Sequence, residues 1–474
     1  MILLLGTARC ENSGPASPSP DVRTLRVGFP NASLTSPLAG IAQLVGILST
    51  EGLLKIGDDG RPAPWLAEGW DIAPDGLSVI VRLRTGARFH DGSPVDGSSV
   101  AQILKRTLPQ FMGPVFEDIA HITPAGTNRI EIGLRRVSPL LLEALEVSIR
   151  SSNGLVGTGP FKRVQPDSLE LHANTDYYLG PPAIDRLVVT NYSNVRAAWA
   201  EMLRDQIDML YEVGIDALDS LQGAQNVRIF TFIQRYQYVV IFNTNAPALR
   251  QAEVRRALNM AVDRDAVVQH ALAGHGLPSS GPVWPHHWAF RPDSPSFGFS
   301  PEAAAAAVAS RQIRFTCLVR PDLERMAQVL KRQFEAVNVD MALEEKTFDE
   351  IVKAISSGDF DAALIDLVSG PSLFRPYEFW RTGGSFSFGQ PGNTRVDAAL
   401  DRIRQAASDD KYREAVIGFQ QAVVDDPPAI FLAWSERARA VSTRFDVAPE
   451  PGRDILTTLR LWRPVAGGKI ASSN

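Results

Sequence analysis

From Pro301 to Val368 the chain switches repeatedly between two apolar periods, and this alternation narrows the possible folds more than any other feature. Residues 303–310, 322–337 and 348–356 carry apolar side chains at helical spacing. Between them, 314–319, 339–344 and 360–368 are short apolar or β-branched runs suited to strands. Strand–helix–strand alternation makes each helix a crossover, so the strands it joins lie largely parallel in one sheet. This part of the chain is therefore expected to form an α/β lobe built of βαβ units, and no internal repeat is visible.

A second segment is continuous with it. Residues 238–242, YVVIF, read as a strand that ends in the turn chemistry of Asn243, Thr244, Asn245 and Pro247. A helix follows with Val254, Leu258, Ala261 and Val262 on one face. Asp263 is placed to cap a second helix carrying Val267, Val268, Ala271 and Leu272. Gly274 stops that helix, and 276–285 reads as a Gly/Pro-rich loop. Upstream, 70–72 and 78–83 flank the turn APDG as a hairpin. Residues 95–108 read as a helix, 129–134 as a strand and 139–146 as a helix. Strands follow at 161–164, 169–173, 187–192 and 209–213, with a helix at 194–204, and the first strand is 25–29.

Several of these segments together resemble the extracellular solute-binding proteins of the peptide and nickel transport family, the receptors of ABC importers. The matching residues are FNT at 242–244, VRRALNMAVDR at 254–264 and GHGLPSSGP at 274–282. VIVRLRTGARFHDGSP at 79–94, GTGPF at 157–161 and NTDYYLGPPAID at 174–185 are similar to further segments of that family, with Tyr178 where the family has Trp. The resemblance spans 25–462. It implies a periplasmic-binding-protein-like α/β fold (type II, cluster C) with two hinged lobes and an added inserted domain. Lobe I would comprise 22–50, 154–236 and 441–465, the inserted domain 51–153, and the clamping lobe II 237–440, with crossings near 237 and 440. The implied function is capture of a small, peptide-like solute by hinge closure and its delivery to ABC permease subunits, by a monomer needing no cofactor. Peptides, opine-like compounds, oligosaccharides, metal chelates and haem all fall within that class.

Composition is compatible. The 474 residues suffice for two or three lobes with real cores, and 45% are hydrophobic. A net charge of −5 argues against a nucleic-acid partner, which wants a basic surface. No run of 18 apolar residues marks a membrane span. The resemblance implies an extracytoplasmic location. Cys10, between a short apolar run and the Ser/Pro-rich 11–21, stands where a lipoprotein cysteine would tether the chain, although Arg9 and the brief apolar run depart from an export signal. Residues 1–21 and 466–474 read as tails. Cys317 lies in a strand run and reads as a small buried apolar residue.

The sequence holds no Gly-x-Ser-x-Gly elbow, no Walker A loop, no His-Glu-x-x-His and no Cys-x-x-Cys, so enzymatic chemistry is not expected. His275, His286 and His287 are the metal candidates, and an alternative reading is a metal- or chelate-binding protein or hydrolase that uses them. Adjacent histidines usually point apart, and further ligands are not evident. The 361–380 segment follows the last βαβ strand, where open α/β sheets place ligands. Peptide-binding relatives carry an Asp-rich motif there, but this chain has Ser369, Gly370, Pro371 and Ser372, with Asp366 as the acidic residue. Arg375 stands among Phe374, Tyr377, Phe379 and Trp380, a setting suited to a ligand carboxylate or phosphate. Asn31 and Ser33 after the first strand, Phe388 in a glycine-rich loop, and Trp434 complete the candidate ligand-binding set.

Overall fold

A computed structural model describes residues 23–30, 37–151, 156–165, 168–214, 218, 224–384 and 393–465. Its spine is one mixed sheet. Among the described residues the strand order is 339–345, 313–319, 362–368, 227–242, 429–442, 209–210, 24–30, 186–192, 170–173 and 161–163, with 276–278 added against 429–442. The two central strands, Val227–Phe242 and Ala429–Ser442, are antiparallel and join the two halves of the sheet.

The βαβ half forms as its apolar periods require. Ile313–Val319 is parallel to both Val339–Glu345 and Ala362–Val368, with helices Glu324–Glu335 and Phe348–Ser357 as crossovers. The continuous run YVVIF is buried on both faces. Val239 and Ile241 enter one core, while Tyr238, Val240 and Phe242 enter the core on the other side of the sheet. Alternate Cβ atoms leave a strand on opposite faces, so a run apolar at every position belongs in a sheet covered on both sides. Ala363, Ile365, Leu367 and Phe431 repeat this split against Ala362, Leu364, Ile430 and Leu432.

The first half is built on Thr24–Pro30, parallel to Arg186–Tyr192 and to Met209–Leu210. Its Leu25, Val27 and Phe29 pack on Leu44 and Leu48 of helix Pro37–Ser49. The glycines of GTGP serve close approach. A Cβ on Gly157 would lie 2.0 Å from the Ser49 carbonyl oxygen, and one on Gly159 2.7 Å from the Ser49 carbonyl carbon.

Residues 51–151 form a separate layer. Ala67–Ile72, Ser78–Leu83, Arg129–Leu134 and Ile119–Pro124 make a four-stranded antiparallel sheet. Helix Gly97–Met112 lies across it with Val100, Ile103, Leu104 and Leu108 buried, started by a capping box between Asp96 and Ser99. The helix continues through Pro109 to Met112, beyond the expected end at 108. This layer and the lower face of the βαβ half share one continuous hydrophobic core. Buried polar contacts cross the same junction. Arg404 grips Asp118 through two bonds of 2.7 and 2.8 Å. The buried Glu143 carboxylate accepts from Ser372 Oγ at 2.7 Å, Phe374 N at 2.8 Å and Tyr412 OH at 2.9 Å.

Two expectations are corrected. Gly276–Pro278, read as loop, is a short strand on 429–442, because its backbone finds partners there. The strand expected at 238–242 begins eleven residues earlier, at Val227; its first half is only partly buried and is separated from 238–242 by the polar Gln234, Arg235 and Gln237. The charged segment ERARAV lies within Ala429–Ser442, where Arg439 is buried and forked to Asp454 at 2.8 and 2.6 Å. The ladder between the two central strands is interrupted between Ile233 and Gln237, opposite Glu436 and Trp434.

Replacing Arg404 with Ala leaves Asp118 buried with one partner fewer. This should lower unfolding free energy by about 3 kcal/mol, measured by denaturant titration.

Candidate ligand-binding cleft

A cavity of about 980 Å³ opens where these parts meet. Its walls come from helix Pro37–Ser49 (Gln43, Ile47), the 51–151 layer (Lys55, Trp65, Arg84, Phe111, Glu146), the central strand (Ile233–Tyr236), the βαβ half (Trp284, Gly370, Ser372, Arg375) and residues 450–461 (Arg453, Arg460). The volume suits a small solute, and the position, at the ends of strands and between packed bodies, is where such sites form.

Local folding places each polar group. Arg235 lies inside the ladder interruption of strand Val227–Phe242, which leaves its side chain facing the cavity. It donates to the Ile56 carbonyl at 2.9 Å and stands 4.0 Å from Glu146. Arg375, in helix Phe374–Trp380, stands 3.9 Å from the other oxygen of Glu146 and lies 4.9 Å above the Phe111 ring. Phe111 in turn stacks on Phe374 at 5.2 Å. Burial lowers the affinity of Arg235 for its proton; Glu146 opposes this, while Arg453 and Arg375 add to it. Lys55 is likewise held below the ordinary lysine value by burial and by Arg453 and Arg460. The cavity therefore holds cations that repel one another.

The sequence candidates divide sharply. Arg375 lines the cavity, as do Gly370 and Ser372 of the segment singled out around it. Phe374, Tyr377 and Trp380 are fully buried core residues, and Phe374 reaches the cavity only by supporting Phe111. Ser369 is buried. Asp366 is taken by Arg320 at 2.8 Å, outside the cavity wall. Trp434 is fully buried, edge-on to Trp284 with ring centroids 4.8 Å apart. A helix with aromatic residues all round its surface packs most of them inward, and only Arg375 is left at the rim. Asn31, Ser33 and Phe388, and the tail Cys10, lie outside the described residues.

The histidines are engaged separately. His275 pairs with Glu436 at 3.0 Å and His286 with Asp58 at 2.9 Å. His287 is buried, stacked with Tyr412 and Trp288, and burial pushes it down to about 4. Among the described residues no group of three or more His, Cys, Asp or Glu side chains is placed to hold a metal ion. Cys317 is buried, its thiol pushed up to about 12 by burial. No helix among the described residues is long and apolar enough to cross a membrane.

Sequence reasoning missed Glu51. Its carboxyl is buried behind the cavity wall, where Tyr177 OH donates at 2.5 Å, Tyr178 OH at 3.0 Å and Thr158 Oγ1 at 3.0 Å. Burial raises it to about 7, against the pull of those donors and of Trp65. The only sequence signal was the tyrosine pair in NTDYY, whose partner lies 126 residues away.

Comparison with known proteins places this architecture. Residues 61–386 match the family described as bacterial extracellular solute-binding proteins, family 5. The chain is 23% identical to the probable di/tripeptide-binding protein 5 of Pseudomonas aeruginosa, covering 82% of this chain and 84% of that protein. Among solved structures it is similar to NikZ from Campylobacter jejuni in complex with Ni(L-His), with a TM-score of 0.79 at 21% identity, covering 93% and 99% of the two chains. It is also similar to the oligopeptide-binding protein AppA from Bacillus subtilis in complex with a nonapeptide, with a TM-score of 0.75 at 18% identity, again covering 93% and 99%.

A carboxyl raised in the folded state favours folding most when protonated. Stability should fall as pH rises from about 4.5 to about 7, by up to about 3 kcal/mol from Glu51. Glu51→Gln should flatten that part of the curve, read by thermal or urea unfolding across pH.

Proposed function

The chain belongs to the bacterial extracellular solute-binding proteins, family 5, and from that premise we propose that it is the substrate-binding component of an ABC importer. It takes a peptide or similar small solute into the 980 Å³ cleft and presents it to permease subunits at the membrane. The observation that carries this reading is the position of the cleft at Phe232–Tyr236 of the central strand, with walls from helix Pro37–Ser49, the βαβ half and the 51–151 layer. The names of its relatives, a di/tripeptide-binding protein and an oligopeptide-binding protein among them, support the peptide-like class.

Closure would occur as a hinge. Two strands cross between the halves, and their ladder is interrupted at 233–237, where backbone rotation breaks few hydrogen bonds. A ligand touching both halves stabilises the closed state by its extra contacts there. In this reading 22–50, 154–236 and 441–465 form lobe I, 51–153 the inserted domain and 237–440 lobe II. The protein works outside the cytoplasm as a monomer, and Cys10 is its candidate tether.

Native mass spectrometry of gently purified protein should reveal a stoichiometric low-mass occupant. A protein that holds no small molecule and closes on none in a solute screen would defeat the reading. With the occupant in hand, Arg375→Ala should weaken binding about tenfold or more in calorimetry without altering the fold, as expected for loss of a charged contact.

A further inference from the structure

The charge of the cleft opposes that of the whole chain. Seven basic side chains and four carboxylates line it among the described residues, whereas the net charge of the protein is −5. Two of the four carboxylates are engaged elsewhere. Asp454 is forked to the buried Arg439, and Asp58 pairs with His286. Glu450 pairs with Arg453 at 3.1 Å, and Glu146 stands between Arg235 and Arg375 at 4.0 and 3.9 Å. The latter two distances exceed those of charge-assisted hydrogen bonds, which run at roughly 2.7–2.9 Å, so neither guanidinium is saturated. Lys55 and Arg460 add two further cations beside Arg453. Gathering like charges in a partly dry cavity costs stability, and a site that keeps them is organised for an anion.

We infer that, given the receptor reading above, the cleft selects a solute carrying at least two acid groups, carboxylate or phosphate. One group sits between Arg235 and Arg375 beside Phe111, and the other is held by the group Lys55, Arg453 and Arg460. The flat Arg forks suit the planar edge of a carboxylate or the face of a phosphate. The apolar part of the lining, Ile47 and Trp284 included, takes the body of the solute.

Calorimetric titration of the full chain with Glu-Glu, Ala-Ala, Lys-Lys, succinate and glycerol 3-phosphate tests this. At least one of the three doubly acidic solutes should bind about tenfold or more tightly than Ala-Ala or Lys-Lys, and the preference should shrink with added salt. Which of the three binds best separates a peptide carboxylate from a simple diacid and from a phosphate. R375Q and R453Q should each cut that affinity about tenfold, while the melting temperature of the unliganded protein stays level or rises, because repulsion is relieved. A variant that merely damaged the fold would lower it. Equal or tighter binding of Ala-Ala or Lys-Lys overturns the inference, as does failure of all five to bind. A neutral or basic occupant found by mass spectrometry would likewise reject it and leave the receptor reading standing, whereas an empty and unresponsive cleft would reject both.

Discussion

The pairing of Val227–Phe242 with Ala429–Ser442 is the interaction on which the rest of the structure hangs. Every other strand of the large sheet is attached, directly or through neighbours, to one end or the other of this ribbon. Beyond Gln237 its residues are buried on both faces, so that end is fixed by packing as well as by hydrogen bonds. At Ile233–Gln237 the ladder lapses, and there the side chain of Arg235 turns into the cavity. The lapse in the ladder and part of the cavity wall are the same few residues.

A second constraint is the way carboxylates are spent. Glu143 and Asp118 are buried at the junction between the 51–151 layer and the βαβ half, Asp454 holds Arg439, and Glu51 sits among hydroxyls behind the cleft wall. Buried carboxylates demand donors, and Glu143, Asp118 and Glu51 draw theirs from elements more than a hundred positions away, so each fixes a tertiary junction. The acids are consumed by architecture, while Arg235, Arg375, Lys55, Arg453 and Arg460 remain at the cavity surface. An acidic protein thereby acquires a basic cleft, and the field inside it is opposite to the one that net charge alone describes.

Local signals were legible where one segment decides its own fate. The βαβ run, the Asp263 cap with its side chain accepting from Ala266 N, and the burial of Cys317 all agree with the structure. The first half of Val227–Phe242 was not legible as part of the same strand, because the polar Gln234, Arg235 and Gln237 interrupt the apolar run and its pairing depends on a strand two hundred residues later. The aromatic cluster around Arg375 misled in a physical way. Composition marks Phe374, Tyr377 and Trp380 as adhesive surfaces but does not say whether a ligand or the protein's own core will cover them.

By itself the sequence determined the alternation of elements, the two-sided burial of the central sheet and the family signature, since these rest on periodicity and on short motifs read within one segment. The tertiary structure alone decided which side chains face the cavity. That choice depends on where the ladder between two distant strands lapses and on which buried acids claim which arginines. Both are settled by contacts between residues more than a hundred positions apart, such as Asp118 with Arg404 and Glu143 with Tyr412. No local pattern encodes such pairings, because a hydrogen-bond partner is chosen by proximity in space rather than in sequence.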